Sequence, residues 1–313
     1  MRPFPVKAMS VSQNTLKNTY LFEGKGLHSG QKVRMRLMPA PEDTGIRFLR
    51  RDVGEDAYIP AVVDYVTMTT RGTTLENDGI KVSTIEHVLS CLYALGVDNA
   101  TIELDNFEVP ILDGSASVYA KAILSDGLQP QDAPRKYFNV TETLHFQDEK
   151  TGADLVIEPS DTFSADLTID FNSKVVGVQT FHFDDHTDYA SQIAPCRTFV
   201  FFHELEYLFS KGLIKGGDLE NALVIVEHPV PEETVLKMAG LFNVKTIEVK
   251  SNGYLDNVTP RFDDECVRHK MLDMLGDFSL VGYRIRGRII AYKSGHKVNT
   301  EMARLIRAAM KHM

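Results

Sequence analysis

Between residues 268 and 277 the order Arg268-His269-Lys270-Met271-Leu272-Asp273-Met274-Leu275-Gly276-Asp277 sets a histidine and two carboxylates at steps of four. The stretch lacks proline and is rich in good helix formers. At about 100° per residue, His269, Asp273 and Asp277 share an arc of roughly 80°. Val267, Met271, Met274 and Phe278 repeat on the opposite side, an ordinary core stripe. The polar line either faces water or is buried. Cys266 and Leu280 fall inside it and Gly276 beside it, which favours burial, and buried groups of this kind need partners. A His and an Asp one turn apart can hold one metal ion, as the two His of H-E-x-x-H do.

A second cluster is Ser83-Thr84-Ile85-Glu86-His87. Ser83-x-x-Glu86 fits a capping box, in which the Glu reaches back to the cap N–H, and His87 alone reads as a partly exposed helix residue. Taken with the first stretch, His87, His269 and Asp273 supply the three protein ligands of a catalytic zinc with one position open for water. Glu86 would then stand beside a ligand, able to take a proton from that water. His296 ends the turn Lys293-Ser294-Gly295-His296. Its imidazole, with an ordinary pKa near 6.5, could protonate a leaving amine while Asp277 holds it charged; the alternative is a solvated turn histidine. His28, at the tip of the turn 24–30, is a further candidate. That turn is not a phosphate loop, because Ser29 stands where the dinucleotide fingerprint needs Gly and no Lys-Ser/Thr pair follows its last Gly.

These residues need elements to carry them. In 32–37, Val33, Met35 and Leu37 alternate with Lys32, Arg34 and Arg36, the period of a half-buried strand in a hairpin over 17–38. Short strands follow over 45–75. Ile85, Val88, Leu89, Leu92 and Leu95 predict a helix ended by Gly96, then a strand at 99–104 and a helix running to about Ser125. Residues 126–137, with two prolines and no periodicity, mark the domain boundary. Beyond it, Phe163, Ala165, Leu167, Ile169 and Phe171 define a strand, and 197–202 a strand running into a helix near 203–211. Segments at 222–226, 232–241 and 244–249 suggest a βαβ insertion. A strand at 287–292 and a closing helix at about 299–311 complete the chain. Each half thus has a helix with a His near its start, followed by a Gly and a strand, which fits two similar α/β layers packed face to face.

At 313 residues the chain suggests two domains. A net charge of -9 argues against nucleic acid as a partner. Cys91, Cys196 and Cys266 are scattered and odd in number, so no disulfide framework follows and a cytoplasmic setting fits. The N-terminal residues have no apolar core of a signal peptide, and no apolar run approaches the ~20 residues that span a bilayer.

Thr84-Ile85-Glu86-His87, Pro110-Ile111-Leu112-Asp113-Gly114-Ser115, Arg197-Thr198-Phe199, Arg268-His269-Lys270-Met271-Leu272-Asp273, Gly276-Asp277 and Ala291-Tyr292-Lys293-Ser294-Gly295-His296 occur in this order. Together with Gly26-Leu27-His28-Ser29-Gly30 they closely resemble the UDP-3-O-acyl-N-acetylglucosamine deacetylases, zinc amidases committing a sugar nucleotide to lipid A synthesis in Gram-negative bacteria. The resemblance covers nearly the whole chain. It implies an α+β fold of two two-layer α/β sandwich domains packed face to face, here 1–128 and 129–313, with the site between them. Each carries an insert, the second a βαβ piece at about 212–260 that shapes an acyl passage. It implies zinc, or iron(II) in the cell, on His87, His269 and Asp273. Glu86 is then the base, His296 the acid, Asp277 its orienting carboxylate and Thr198 an oxyanion donor. Lys270 becomes a contact to the nucleotide phosphates, His28 a further substrate contact, and Phe199 and Phe201 walls of the acyl passage. The expected partner is an amphiphilic UDP-sugar, met in the cytoplasm near the inner membrane. The segment 227–250 is longer than in enterobacterial members and resembles the branch fused to a C-terminal hydroxyacyl-carrier-protein dehydratase, so the chain is expected to be the first half of such a fusion.

Overall fold

The computed structural model describes residues 11–210, 215–218, 220–241, 247–256 and 259–310. Its first half begins with β1 (Ser12–Leu16), β2 (Tyr20–Lys25) and β3 (Lys32–Pro39). Val33, Met35 and Leu37 of β3 are buried while Lys32, Arg34 and Arg36 are exposed, as their alternation predicts. There follow β4 (Ile46–Arg50), β5 (Tyr58–Pro60), a small meander of β6 (Val66–Met68), β7 (Thr74–Asn77) and β8 (Ile80–Ser83), then α1 (Glu86–Leu95), β9 (Ala100–Leu104), α2 (Ser117–Asp126) and β10 (Leu128–Pro134). The main sheet has the order β2-β3-β9-β4-β5. Here β9 runs antiparallel to β3 and parallel to β4. Gly96 ends α1 in the left-handed region at φ 87°.

Two local expectations change. Ser83 does not cap α1: its N–H donates to Phe107 O and its carbonyl accepts from Val109 N, so the backbone is already paired and Glu86 is free to turn inward. Residues 126–137 are no unpatterned linker, since they contain β10, antiparallel to β1 with Leu16 opposite Leu128. Pro130 and Pro134 are tolerated because a two-stranded ribbon has outer edges that need no N–H.

The second half contains β11 (Tyr137–Asn139), β12 (Leu144–Asp148), β13 (Ala153–Glu158), β14 (Phe163–Asp170), β15 (Val178–Asp184) and α3 (Tyr189–Gln192). The insert region holds β16 (Phe199–Phe201), α4 (Phe202–Ser210), β17 (Leu223–Ile225) and α5 (Glu232–Leu241), and α6 (Glu265–Ser279), β18 (Arg284–Tyr292) and α7 (His296–Met310) follow. The sheet order is β12-β13-β18-β14-β15, with β11 alongside β18. β14 buries Phe163, Ala165, Leu167 and Ile169 in strict alternation, whereas Phe171, just past it, is exposed. β16 and β17 pair in parallel through α4, so the βαβ unit that is seen starts at Phe199, upstream of 212. Of the strand expected at 244–249, residues 244–246 lie outside the described residues, and Val249 bridges Leu255. The insert has its own small core, including Phe202, Leu205, Leu208, Val224 and Met238.

The fold is α+β, as expected. One apolar core runs through both halves, and α6 is buried nearly all round. It packs on β14 and β15 on one side and on α1 on the other. The contact with α1 is backbone to backbone: a Cβ on Gly276 would collide with the carbonyl of Glu86. No helix among the described residues is long and apolar enough to cross a membrane.

Candidate active site

The approach to α1 bends sharply at Thr84, φ 57°, and delivers Glu86 and His87 as the helix's first residues, 3% and 5% exposed. Across the Gly276 contact, α6 presents His269, Asp273 and Asp277, all buried. The polar line is therefore not a solvated face. His269 Nε2 lies 3.4 Å and His87 Nε2 3.8 Å from Asp273 Oδ1, and the two rings meet edge to face with centroids 5.1 Å apart. One donor atom from each of the three residues lies within 4.8 Å of the others. His269 Nδ1 faces the carbonyl of Cys196 at 3.1 Å. Donating there, it leaves Nε2 with a lone pair toward the cluster, the arrangement that orients a metal-binding imidazole.

Electrostatics agree with that geometry. Burial, then the neighbouring His269, pushes His87 down to about 3. Burial lowers His269 too. For Asp273, burial acts upward but is overcome by Lys270, His269 and the other histidines, which hold the carboxyl well below its usual range. Two neutral imidazoles and one carboxylate thus converge on one point, a donor set suited to a divalent cation of the zinc or iron type.

Beside this cluster, Glu86 Oε2 accepts from Thr73 N at 3.1 Å. Its burial raises the carboxyl to about 7, against the opposing charge of His296. His296 is the first residue of α7 and not part of a free turn, because Asn299 N donates to Gly295 O and starts the helix there. Its Nδ1 donates to Asp277 Oδ2 at 2.9 Å. The Nε2 edge lies 3.9 Å from both Glu86 Oε1 and Asp273 Oδ2. Burial alone would lower His296, but Asp277, then Asp273 and Glu86, lift it to about 9. Asp277 is held in turn by Thr73 Oγ1 (2.7 Å) and Asn299 Nδ2 (2.9 Å).

A cavity of about 430 Å³ opens over the cluster, lined by His28, Thr198, Phe199, Phe201, His269, Lys270, Asp273 and His296. Every site candidate from the sequence either lines this cavity or, like Glu86, His87 and Asp277, belongs to the buried cluster around it. Lys270 Nζ is engaged locally, donating to Asp273 Oδ2 at 2.7 Å. Phe199 and Phe201 form an aromatic cluster with Phe171, at centroid distances of 5.5 and 5.6 Å from it. Sequence reasoning missed Thr73, Asn299 and Phe171. Asn299 carried a usable signal, one turn beyond His296 on the same helix. Phe171 was read as the last buried position of its strand, and Thr73 had no pattern to mark it.

The family model for UDP-3-O-acyl N-acetylglycosamine deacetylase matches residues 13–242 and 238–308. The chain belongs to this family. It is 43% identical over 299 residues to the bifunctional enzyme LpxC/FabZ of Porphyromonas gingivalis, covering 96% of this chain and 65% of that protein. It is 40% identical over 297 residues to that of Bacteroides thetaiotaomicron, covering 95% and 64%. To the UDP-3-O-acyl-N-acetylglucosamine deacetylase of Myxococcus xanthus it is 38% identical over 302 residues, covering 96% and 88%. The chain thus spans slightly less than two thirds of the bifunctional relatives.

Proposed function

We propose that this protein is a zinc-dependent deacetylase that hydrolyses the N-acetyl amide of UDP-3-O-acyl-N-acetylglucosamine, releasing acetate, the committed step of lipid A synthesis. The observation that carries this reading is the buried convergence of His87, His269 and Asp273 with Glu86 and the His296–Asp277 pair at one edge of an open cavity. Bound there, zinc supplies a Lewis acid and a place for the attacking water, and iron(II) fits the same donors.

The residues around it do the proton work. Glu86, raised to about 7, is a base matched to neutral pH and takes the water's proton. The Thr198 hydroxyl, on the cavity wall, donates to the oxyanion as charge develops. His296, charged and aimed by Asp277, gives its Nε2 proton to the leaving amine, which as an anion would be too basic to depart. Lys270 contacts the nucleotide phosphates of the substrate, His28 is a further contact on the cavity wall, and Phe199 and Phe201 with Phe171 form an apolar wall for the acyl chain. Cytoplasmic residence near the inner membrane belongs to the proposal, supported by three buried free thiols. So does a partner activity of the hydroxyacyl-carrier-protein dehydratase kind, supported by the bifunctional relatives.

The test is acetate release from the acylated sugar nucleotide, its loss on chelation and its return with added zinc. Fully metal-loaded protein that releases no acetate would overturn the reading. Equal turnover on the non-acylated sugar nucleotide would remove the acyl chain from it.

A further inference from the structure

Glu108, between β9 and α2, is 1% exposed and has no part in the chemistry above. Its hydrogen-bond donors among the described residues are neutral. Oε1 accepts from His28 N at 2.8 Å and from Thr84 Oγ1 at 3.0 Å, and Oε2 from Ser29 N at 2.8 Å. A buried carboxylate is stable only where such bonds replace water, so the three donors are held as firmly as the carboxylate needs them.

The donors belong to two segments that both end at the site. Thr84, in the left-handed region, stands two residues before Glu86. The turn 26–30 faces the cavity through Leu27 and His28, and on its other side carries the insert: His28 O accepts from Lys215 N (3.2 Å) and Leu27 O from Gly216 N (3.0 Å). Gly217 and Asp218, next along the chain, line the cavity. These approaches are close. A Cβ on Gly26 would collide with the Glu108 carboxylate, and one on Gly216 with the carbonyl of Gly26.

We propose that Glu108 is a positioning residue whose single carboxylate sets two things at once: the entry to the helix bearing Glu86 and His87, and the turn and insert edge against which substrate lies. The proposal rests on the deacetylase reading. It acts through other residues and touches no reacting atom.

The experiment compares the parent with Glu108→Gln, Thr84→Ala and Thr84→Ser in steady-state deacetylation, bound metal and amide exchange at His28, Ser29, Lys215 and Gly216. Glu108→Gln turns one acceptor oxygen into an NH2 that faces an N–H. It should raise KM about tenfold or more and lower kcat by roughly 3–10-fold, with metal content unchanged. Exchange at the four amides should speed up by about tenfold or more. Thr84→Ala cuts only the helix branch, so kcat falls while KM stays within about twofold, and Thr84→Ser, which keeps the hydroxyl, restores kcat. Kinetics of Glu108→Gln within about twofold of the parent overturn the proposal, as does a lowered melting temperature with unchanged kinetics and exchange. Should Glu108→Gln not fold, equal kcat in the two Thr84 variants overturns it. A parent that releases no acetate overturns the deacetylase reading instead, while amide exchange still decides whether Glu108 holds the turn.

Discussion

His296 stands 2.9 Å from Asp277, and on the outer face of the second sheet His182 stands 2.6 Å from Asp166. The exposed pair is the shorter. Its histidine side chain is 54% exposed, Arg288 shares its aspartate at 3.0 Å, and its other ring nitrogen lies 3.6 Å from Asp184. Asp277 is instead sealed at 1% exposure between Thr73 and Asn299, and the free edge of His296 faces Glu86 and Asp273. Coulomb interactions strengthen severalfold as water is removed, whereas surface pairs are worth little after screening. On the deacetylase proposal, the same two residue types become a proton-handling device in one place and a surface ornament in the other. Neither distance nor the presence of further charges separates them; burial does.

That contrast can be tested at both ends. The largest predicted effect is for Glu86→Gln, which should keep about one metal per chain and lower kcat by about 10³ or more. Turnover close to the parent's would end its assignment as base. Next, His296→Asn should lower kcat by about 10²–10³, while His182→Asn leaves it within about twofold. Equal losses at the two histidines in one kinetic assay would erase the distinction. Third, Gly276→Ala should destabilise the fold by about 1–3 kcal/mol through overpacking, read as a lower urea midpoint, and an unchanged midpoint would mean that the helices can part.

The smallest effect is the pH dependence of the exposed pair. His182 is raised, first by its hydrogen bond to Asp166, so its contribution is full below the unfolded value near 6.5 and fades as pH rises through the folded one. For Asp166, burial acts upward but His182 and Arg288 prevail and lower it, so its share is present above the unfolded value and lost in acid. Between those limits His182→Asn should cost under about 0.5 kcal/mol, and less in high salt. A loss as large as that of Gly276→Ala in denaturant titrations would show that exposure does not weaken this pair.

Much of this was legible in the sequence because its periods are physical. Strict alternation wrote β3 and β14, and steps of four on α6 marked a line whose apolar neighbours already argued for burial. What failed were patterns with two solutions. Ser83-x-x-Glu86 suits a cap, yet Ser83 is committed to backbone pairing with 107–109, a long-range fact absent from local spacing. The prolines near 130 suggested a linker, but an edge ribbon tolerates them. Thr73 was illegible because it reaches Asp277 across 204 positions of chain, and a lone threonine just before a short strand has no period.

At Gly276 the two helices meet with no side chain between them. The carbonyl of Glu86 rests against main chain, so the gap between donors from the two halves is gauged by backbone and not by the side chains filling the rest of the core. Leucines elsewhere can be exchanged for methionine or isoleucine without resetting that gauge. A protein sharing 43% of its residues with a relative can therefore vary much of its side-chain interior while main chain at this contact still sets the spacing of the two helices.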